Sequence, residues 1–591
     1  MVASPSTQQA LGPSAGQMVS RAFDARPETE RPELDRLVAR LAEHAKEFAR
    51  LGIPQKIALL EDVSQRLHGV AAEWVTAACR AKGLTLAEPA SGEEWIAGPA
   101  VTLRNIRFLV KSLRDIQARG VPALPEGGIH ELPSGALGIR VAPYDKFDGV
   151  LYGGITGETW LLPGIARKDV PEHQASFYKK KDPAGGVSLV LGAGNVASIP
   201  PMDVLYKMFV DGNVCILKMN PVNEYVGPFI ERAFKPLVDK GYLAVVYGGA
   251  EVGSHLSYHP DVADIHITGS DKTHDMIVWG PPGPEREDRK RRNDPLLKKP
   301  ITSELGNVSP VMIVPGPYTD AELANMAENV AGMMCNNGSF NCNAAKLLVL
   351  PKGWGLRESF ISKLTNVLSA ATPRKAYYPG AFQRYEALTK GHKDVRKLGR
   401  ATGESLPWTL VLGLDADDPN ERNFCDEPFC AILSEAQVGS TDPAEFIAAA
   451  VPFANDKVWG TLSAMFFVHP KTQADRSLGA QLEGGIRDLR YGTVAVNVWP
   501  ALAYALCSTP WGGHPSATLA NIQSGLGWVH NTVMLEDIEK CVIRAPLKAM
   551  PKHVYFPTHR TVHQLGRRLV DFEAAPSWLK VPGLAAAALR G

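Results

Sequence analysis

Cysteine is scarce, with 8 in 591 residues, too few for a disulfide scaffold at this length. The spacings, among them Cys335-x6-Cys342 and Cys425-x4-Cys430, match no zinc pattern. They read as mostly buried thiols in a reducing compartment, with no metal. Charge of one sign is also missing. A net charge of +1 gives no electrostatic case for nucleic acid. No apolar run reaches the roughly 18 residues that a membrane span needs. The N-terminal stretch, rich in Ser, Ala, Gln and Pro, has no basic segment leading into an apolar core and is not a secretory signal. These absences together predict a cytoplasmic chain with neither a membrane span nor a nucleic-acid partner.

What is present is ordinary globular material, 45% apolar and 21% charged, on a chain too long for one hydrophobic core. Residues 1–30 read as a flexible arm. Leu34, Leu37, Leu41 and Ala45 recur at helical spacing, and Ile57, Leu60, Val63 and Leu67 repeat the pattern after Ile53-Pro54. The region up to about residue 117 is therefore expected to be a helical packing layer. Between 138 and 162 the period shifts towards two, in Ile139-Arg140-Val141 and Gly149-Val150-Leu151-Tyr152.

Residues 187–218 form a strand–turn–helix–strand unit. The apolar Val187-Ser188-Leu189-Val190-Leu191 runs into Gly192-Ala193-Gly194-Asn195, and a second strand ends at Lys218. Glycine in such a turn serves the backbone as often as it serves a nucleotide. A second unit runs from Ala244 to Ile265-His266-Ile267-Thr268-Gly269-Ser270, where a turn opening a helix frees N–H groups for an anion. Residues 281–299, with Glu285 to Arg292 strongly charged between prolines, read as an exposed inserted loop. Residues 351–420 read as alternating helices and loops.

The chemistry concentrates in 301–349. Glu304 stands on a short polar turn before an apolar strand, and a helical run ends at Asn336-Asn337-Gly338-Ser339-Phe340-Asn341-Cys342. A thiol and a carboxylate at element ends are the parts needed for covalent catalysis with general-base help.

Glu304-Leu305-Gly306-Asn307-Val308-Ser309-Pro310 resembles the Glu-Leu-Gly-Gly-Lys-Ser-Pro signature of the aldehyde dehydrogenase superfamily, and Asn336-x-Gly338 with Cys342 resembles its cysteine motif. Gly212-Asn213 through Lys218, Thr268-Gly269-Ser270, Glu427-Pro428-Phe429, Gly492 to Asn497 and Pro510-Trp511-Gly512-Gly513 resemble further motifs in the family's order, over roughly residues 140 to 530. The resemblance implies an α/β fold. It consists of a Rossmann-type cofactor domain with its helical layer (31–300), a catalytic domain (301–510), a small oligomerisation hairpin near 150–182 that pairs with another subunit, and a C-terminal segment (511–591) returning to the cofactor and oligomerisation region. It implies NAD or NADP as cofactor and a homodimer or homotetramer. It also implies roles for residues: Cys342 as nucleophile, Glu304 as base, Asn195 in the oxyanion hole, and Lys218, Gly269, Ser270, Glu427 and Phe429 at the cofactor.

The chain departs from the family pattern in several places. Gly194-Asn195-Val196 is closer to the acyl-CoA reductase branch. Pro221 stands where the family often has an acid, so no nearby carboxylate is expected to oppose a 2′-phosphate. His274 replaces a glycine. Cys342 lies four residues after Gly338, and Asn341 holds the three-residue place of the family's nucleophile. Either an insertion lets Cys342 swing in, or the nucleophile is lost. Three readings follow: NAD(P)-dependent oxidation of an aldehyde to a carboxylic acid through a cysteine thioester, a CoA-dependent acyl-CoA reductase, or a silent member acting as a binding protein. Glu304 favours the first.

Overall fold

A computed structural model describes residues 25–591. Most of the arm expected over 1–30 lies outside the described residues. Its end is laid along a sheet edge, where Thr29 N donates to Tyr247 O at 3.1 Å and Tyr247 N donates to Thr29 Oγ1 at 3.1 Å.

The helices Arg31–Arg50, Ile53–Ala81 and Val101–Arg119 form the N-terminal layer. Pro32 opens the first of these, where a missing N–H costs nothing. Leu34, Val38, Leu41 and Phe48 bury one stripe of it.

Among the described residues, eighteen strands form three sheets. The first to appear are β1 (Ile129–Glu131), β2 (Leu137–Ala142) and β3 (Thr156–Leu161). The strands β4 (Val187–Leu191), β5 (Val214–Lys218), β6 (Leu243–Val246), β7 (Val262–Gly269) and β8 (Ile301–Leu305) make a five-stranded parallel sheet in the order β6-β5-β4-β7-β8. Every residue of β4 and β5 is buried, as unbroken apolar runs require in a parallel sheet covered on both faces. The order turns back between β4 and β7, and a crevice opens at the carboxyl ends of strands at such a point.

Next come β9 (Pro310–Ile313), β10 (Leu347–Pro351), β11 (Asp394–Leu398), β12 (Trp408–Leu414), β13 (Ile432–Val438), β14 (Ser463–Phe467) and β15 (Thr493–Val496). The short pair β16 (Pro510–Trp511) and β17 (Val529–His530) stands apart, and β18 (Ile538–Arg544) is last. The large sheet has the order β1-β2-β3-β18-β15-β14-β9-β10-β13-β12-β11.

Several expectations are corrected. The hairpin near 150–182 is β2 and β3, and 167–179 holds two 3-10 turns instead. The hairpin does not leave the body. Its strand β3 pairs antiparallel with β18, which pairs parallel with β15 of the same chain. The edge contact on which the resemblance based an oligomer is thus made within one chain. The division at 300/301 falls inside the smaller sheet, because β8 is that sheet's last strand. Residues 351–420 contain β11 and β12 as well as helices, since the alternation in Asp394–Leu398 is masked by its charged residues.

The segment 281–299 holds a helix, Pro284–Arg292, rather than a loop. Its proline opens the helix, its acids lie in the first turn and its bases in the last, the polarity a helix dipole favours. Beyond β18, the helix Val562–Ala574 closes onto Gly92–Trp95, and Glu573 accepts from Arg104 Nη1 at 3.1 Å and Arg107 Nε at 2.7 Å. Among the described residues no helix is long and apolar enough to cross a membrane.

Candidate active site

All eight residues predicted from sequence line one cavity of about 1000 Å³ at the crevice between the two sheets: Asn195, Lys218, Gly269, Ser270, Glu304, Cys342, Glu427 and Phe429. The carboxyl ends of β4, β5, β7 and β8 each supply part of it.

Cys342 is positioned by a strained loop. The helix Asp320–Cys335 ends, and Asn337, Gly338 and Ser339 all take positive φ, at 52°, 65° and 70°. Non-glycine residues hold this region only where their surroundings enforce it. Asn337 Nδ2 donates to Asn195 O at 3.0 Å, Phe340 O at 3.1 Å and Asn341 Oδ1 at 3.1 Å. Asn341 Nδ2 donates to Asn336 Oδ1 at 3.0 Å. The Asn341 amide therefore closes the loop from behind and does not line the cavity, whereas Cys342 does.

Glu304 is on β8, a strand rather than the expected turn, paired with Thr268 of β7. It is 3% exposed. Burial pushes its pKa up to about 8, and the Cys342 thiol lies within hydrogen-bonding reach. Burial also pushes the thiol well above its ordinary value, and the neighbouring Glu304 charge adds to this. Both groups therefore favour their protonated forms, and each is active in chemistry only after it loses its proton. Lys346 Nζ opposes the rise in the thiol's pKa. It donates to Cys342 O at 2.7 Å, Asn307 O at 2.6 Å and Glu427 Oε1 at 2.5 Å, fixing the nucleophile's backbone to the cofactor-side carboxylate. A Cβ on Gly306 would lie 2.0 Å from Glu427 Oε2, so only glycine allows that carboxylate its place.

Asn195 Nδ2 donates to Phe340 O at 2.9 Å, which aims the amide at the nucleophile loop and leaves its second N–H free for an oxyanion. Its own carbonyl accepts from Lys82 Nζ at 3.2 Å and Tyr377 Oη at 3.0 Å. Lys82, Tyr377 and Lys346 were not found in the sequence. Each is a single polar residue in a helix, a loop or a strand approach, with no motif around it.

The far end of the cavity suits a dinucleotide. Ser270 caps the helix Asp271–Trp279, accepting from Thr273 N at 3.2 Å, and first-turn N–H groups of such a helix favour phosphate. His274 is buried and does not line the cavity. Lys218 is 9% exposed and makes no ion pair within 4.0 Å among the described residues, a cation held ready for a polar ligand. Burial lowers its pKa to about 8, with Glu224 and Glu28 pulling the other way. The expectation that no carboxylate stands near this lysine is therefore wrong. Glu224 lies three residues beyond Pro221, and Glu28 arrives from the N-terminal segment, where Gly249 N donates to its Oε2 at 3.5 Å. Phe429, at φ 41°, packs edge-on against Tyr378 with ring centroids 4.9 Å apart. Among the described residues no group of three or more His, Cys, Asp or Glu could hold a metal ion.

The fold and site define a two-sheet α/β protein with a thiol and a buried carboxyl at the mouth of a nucleotide-type crevice. Residues 160–381 match the model of the aldehyde dehydrogenase family. It is 28% identical over 205 residues to 4-trimethylaminobutyraldehyde dehydrogenase of Oryzias latipes, covering 33% of this chain and 34% of that protein. It is 25% identical over 314 residues to aminoacetaldehyde dehydrogenase of Pseudomonas aeruginosa, covering 51% of this chain and 56% of that one. The chain thus matches about a third to a half of the length of these curated relatives. Its fold resembles the NADP-dependent glyceraldehyde-3-phosphate dehydrogenase of Bacillus halodurans complexed with NADP, at a TM-score of 0.55 and 17% identity over 88% of this chain and 92% of that one.

Proposed function

We propose that the protein oxidises an aldehyde to its carboxylic acid through a thioester on Cys342, with NAD as the hydride acceptor. The observation that carries this reading is the Cys342 thiol beside the buried Glu304 carboxyl, in a cavity also lined by Lys218, Gly269, Ser270, Glu427 and Phe429.

Cys342 gives its proton to Glu304 and attacks the aldehyde carbon. The oxyanion of the thiohemiacetal is held by the free N–H of the Asn195 amide and the backbone N–H of Cys342, at about 3 kcal/mol for each such donor. A bound nicotinamide supplies the hydride acceptor that turns this adduct into a thioester. Ser270 and the first turn behind it suit the pyrophosphate, Lys218 one ribose, and Glu427 the other. Once Glu304 has released the thiol's proton, it takes one from water as water adds to the thioester and gives it to the departing thiolate, so the acid leaves with the thiol restored. Glu224 and Glu28 beside Lys218 disfavour an added 2′-phosphate, which supports NAD over NADP.

The Gly194-Asn195-Val196 turn favours a second reading, in which CoA rather than water takes the acyl group. Glu304 next to the thiol weighs against it. The test is cofactor reduction with acetaldehyde, hexanal and benzaldehyde, with and without CoA. CoA-independent turnover that disappears in Cys342→Ala is expected. Turnover only with CoA would replace hydrolysis by acyl transfer, and turnover that survives in Cys342→Ala would refute the thioester.

A further inference from the structure

Glu304 is almost entirely buried, yet a base must lose its proton once in every turnover. During hydrolysis the cavity in front of it holds the acyl group and the cofactor, so the proton needs another way out. Behind Glu304 lies a line of polar side chains that the proposed chemistry does not use.

β7 and β8 run parallel with Thr268 opposite Glu304 and His266 opposite Thr302. Alternate residues of a strand share a face, and so do paired residues of neighbouring strands. These four side chains therefore form one polar stripe on the sheet. Asp203, from the helix Ile199–Phe209 that follows the Asn195 turn, lies over this stripe and is 1% exposed. Thr268 Oγ1 donates to Asp203 Oδ2 at 2.9 Å. His266 Nε2 is 3.5 Å from the same oxygen and 3.3 Å from Thr268 Oγ1. On its other side, His266 Nδ1 is 2.9 Å from Thr302 Oγ1, and Thr302 is half-buried at the rim. Asp203 Oδ1 and Glu304 Oε1 are both buried without a hydrogen-bond partner, and the Asp203 charge acts on Glu304 directly. Buried acceptors of this kind are costly unless something passes between them.

We infer that Asp203 and His266 form a proton relay that returns Glu304 to its carboxylate between acylation and hydrolysis. The proton leaves Glu304 for the Asp203 carboxylate past Thr268, which stands opposite Glu304 on the neighbouring strand and donates to Asp203. Asp203 passes it to His266 Nε2, and Nδ1 releases a proton through the Thr302 hydroxyl. Each group gains one proton and loses one, so no charge is left behind. The other groups facing this stripe are His530, Tyr504, Cys342 and Glu427. Burial holds His530 down to about 4 and raises the Tyr504 hydroxyl well above its ordinary value, so both stay neutral near pH 7.

This inference rests on the proposed roles of Cys342 and Glu304, and a cofactor-free probe separates the two levels. p-Nitrophenyl acetate acylates a reactive thiol with release of p-nitrophenolate. Acylation then appears as a burst and hydrolysis of the thioester as the steady rate. In Asp203→Asn and in His266→Gln we expect a full burst, a steady rate lower by about tenfold or more, an altered pH profile and a changed solvent deuterium isotope effect. A steady rate, pH profile and isotope effect equal to wild type in both variants would overturn the relay. So would parallel loss of burst and steady rate in both, which would assign the pair to structure alone. No burst from the wild type, or a steady rate unchanged in Glu304→Gln, would instead overturn the roles of Cys342 or Glu304, and the relay with them.

Discussion

Lys82 Nζ donates to the carbonyl oxygen of Asn195 at 3.2 Å, across 113 residues of sequence. The same ammonium donates to Asn337 Oδ1 at 3.0 Å and pairs with Glu94 Oε1 at 2.8 Å. Burial works against its charge, but Glu94 outweighs it and the pKa is raised. One lysine of the N-terminal helical layer thus ties the oxyanion turn to the nucleophile loop. Removing one member of a buried pair strands the other charge. Lys82→Met should therefore cost roughly 3–5 kcal/mol of stability, read by urea unfolding, and should lower kcat more than it raises KM.

The two residues at the nucleophile position should behave differently. Cys342→Ala is expected to fold, bind NAD and give no turnover. Asn341→Ala keeps the thiol but loosens the turn that carries it. Its kcat should fall by roughly 10²-fold, the scale of an ångström-sized misplacement. Equal activity of Asn341→Ala and wild type, measured by cofactor reduction, would contradict the loop's assigned role.

Glu304 sets the pH dependence of hydrolysis. Its pKa is raised to about 8, so the base form is the minor species at pH 7 and predominates above 8. The steady rate of thioester hydrolysis should rise up to about pH 8 and level off above it. Glu304→Gln should lose this rise and should also slow the acylation burst, because Glu304 takes the Cys342 proton.

Lys218 should make cofactor affinity pH-dependent in the opposite sense. With its pKa lowered to about 8, the free protein carries this cation below that pH and loses it above. The Kd for NAD, followed by quenching of tryptophan fluorescence, should weaken as pH rises through 8. In Lys218→Met it should be weaker throughout and flat in this range.

The carboxylates beside Lys218 give a test of cofactor choice. Glu224→Gln combined with Glu28→Gln should shift the NADP-to-NAD affinity ratio towards NADP by about tenfold, or about 1.4 kcal/mol. An unchanged ratio would remove these acids from the selectivity.

Much of this was legible because the signals are local. Hydrophobic period marked the helical layer, and unbroken apolar runs marked β4 and β5 as buried parallel strands. Short turn motifs gave residues that converge on one cavity, since motifs at the ends of neighbouring strands must meet wherever those strands pair. What failed was equally physical. The charged segment 281–299 looked like a loop because it buries nothing, yet its proline and its charge order favour a helix. The acids acting on Lys218 carry no local signal, because Glu224 lies outside the motif that ends at the lysine and Glu28 comes from far upstream in the chain.

The sequence by itself determined the resemblance to a family, the two α/β units and the thiol and carboxyl available for chemistry, because these depend on residue type and short spacing. Only the tertiary structure set Cys342 on the cavity and Asn341 behind it, by folding the loop into a left-handed turn that uses the asparagine as its clasp. It alone joined the hairpin to the chain's own β18, and it alone set Lys82, Asp203 and His266 behind the site. Those contacts span long stretches of chain. Their energy comes from burial and charge that no residue carries until the chain has folded around it.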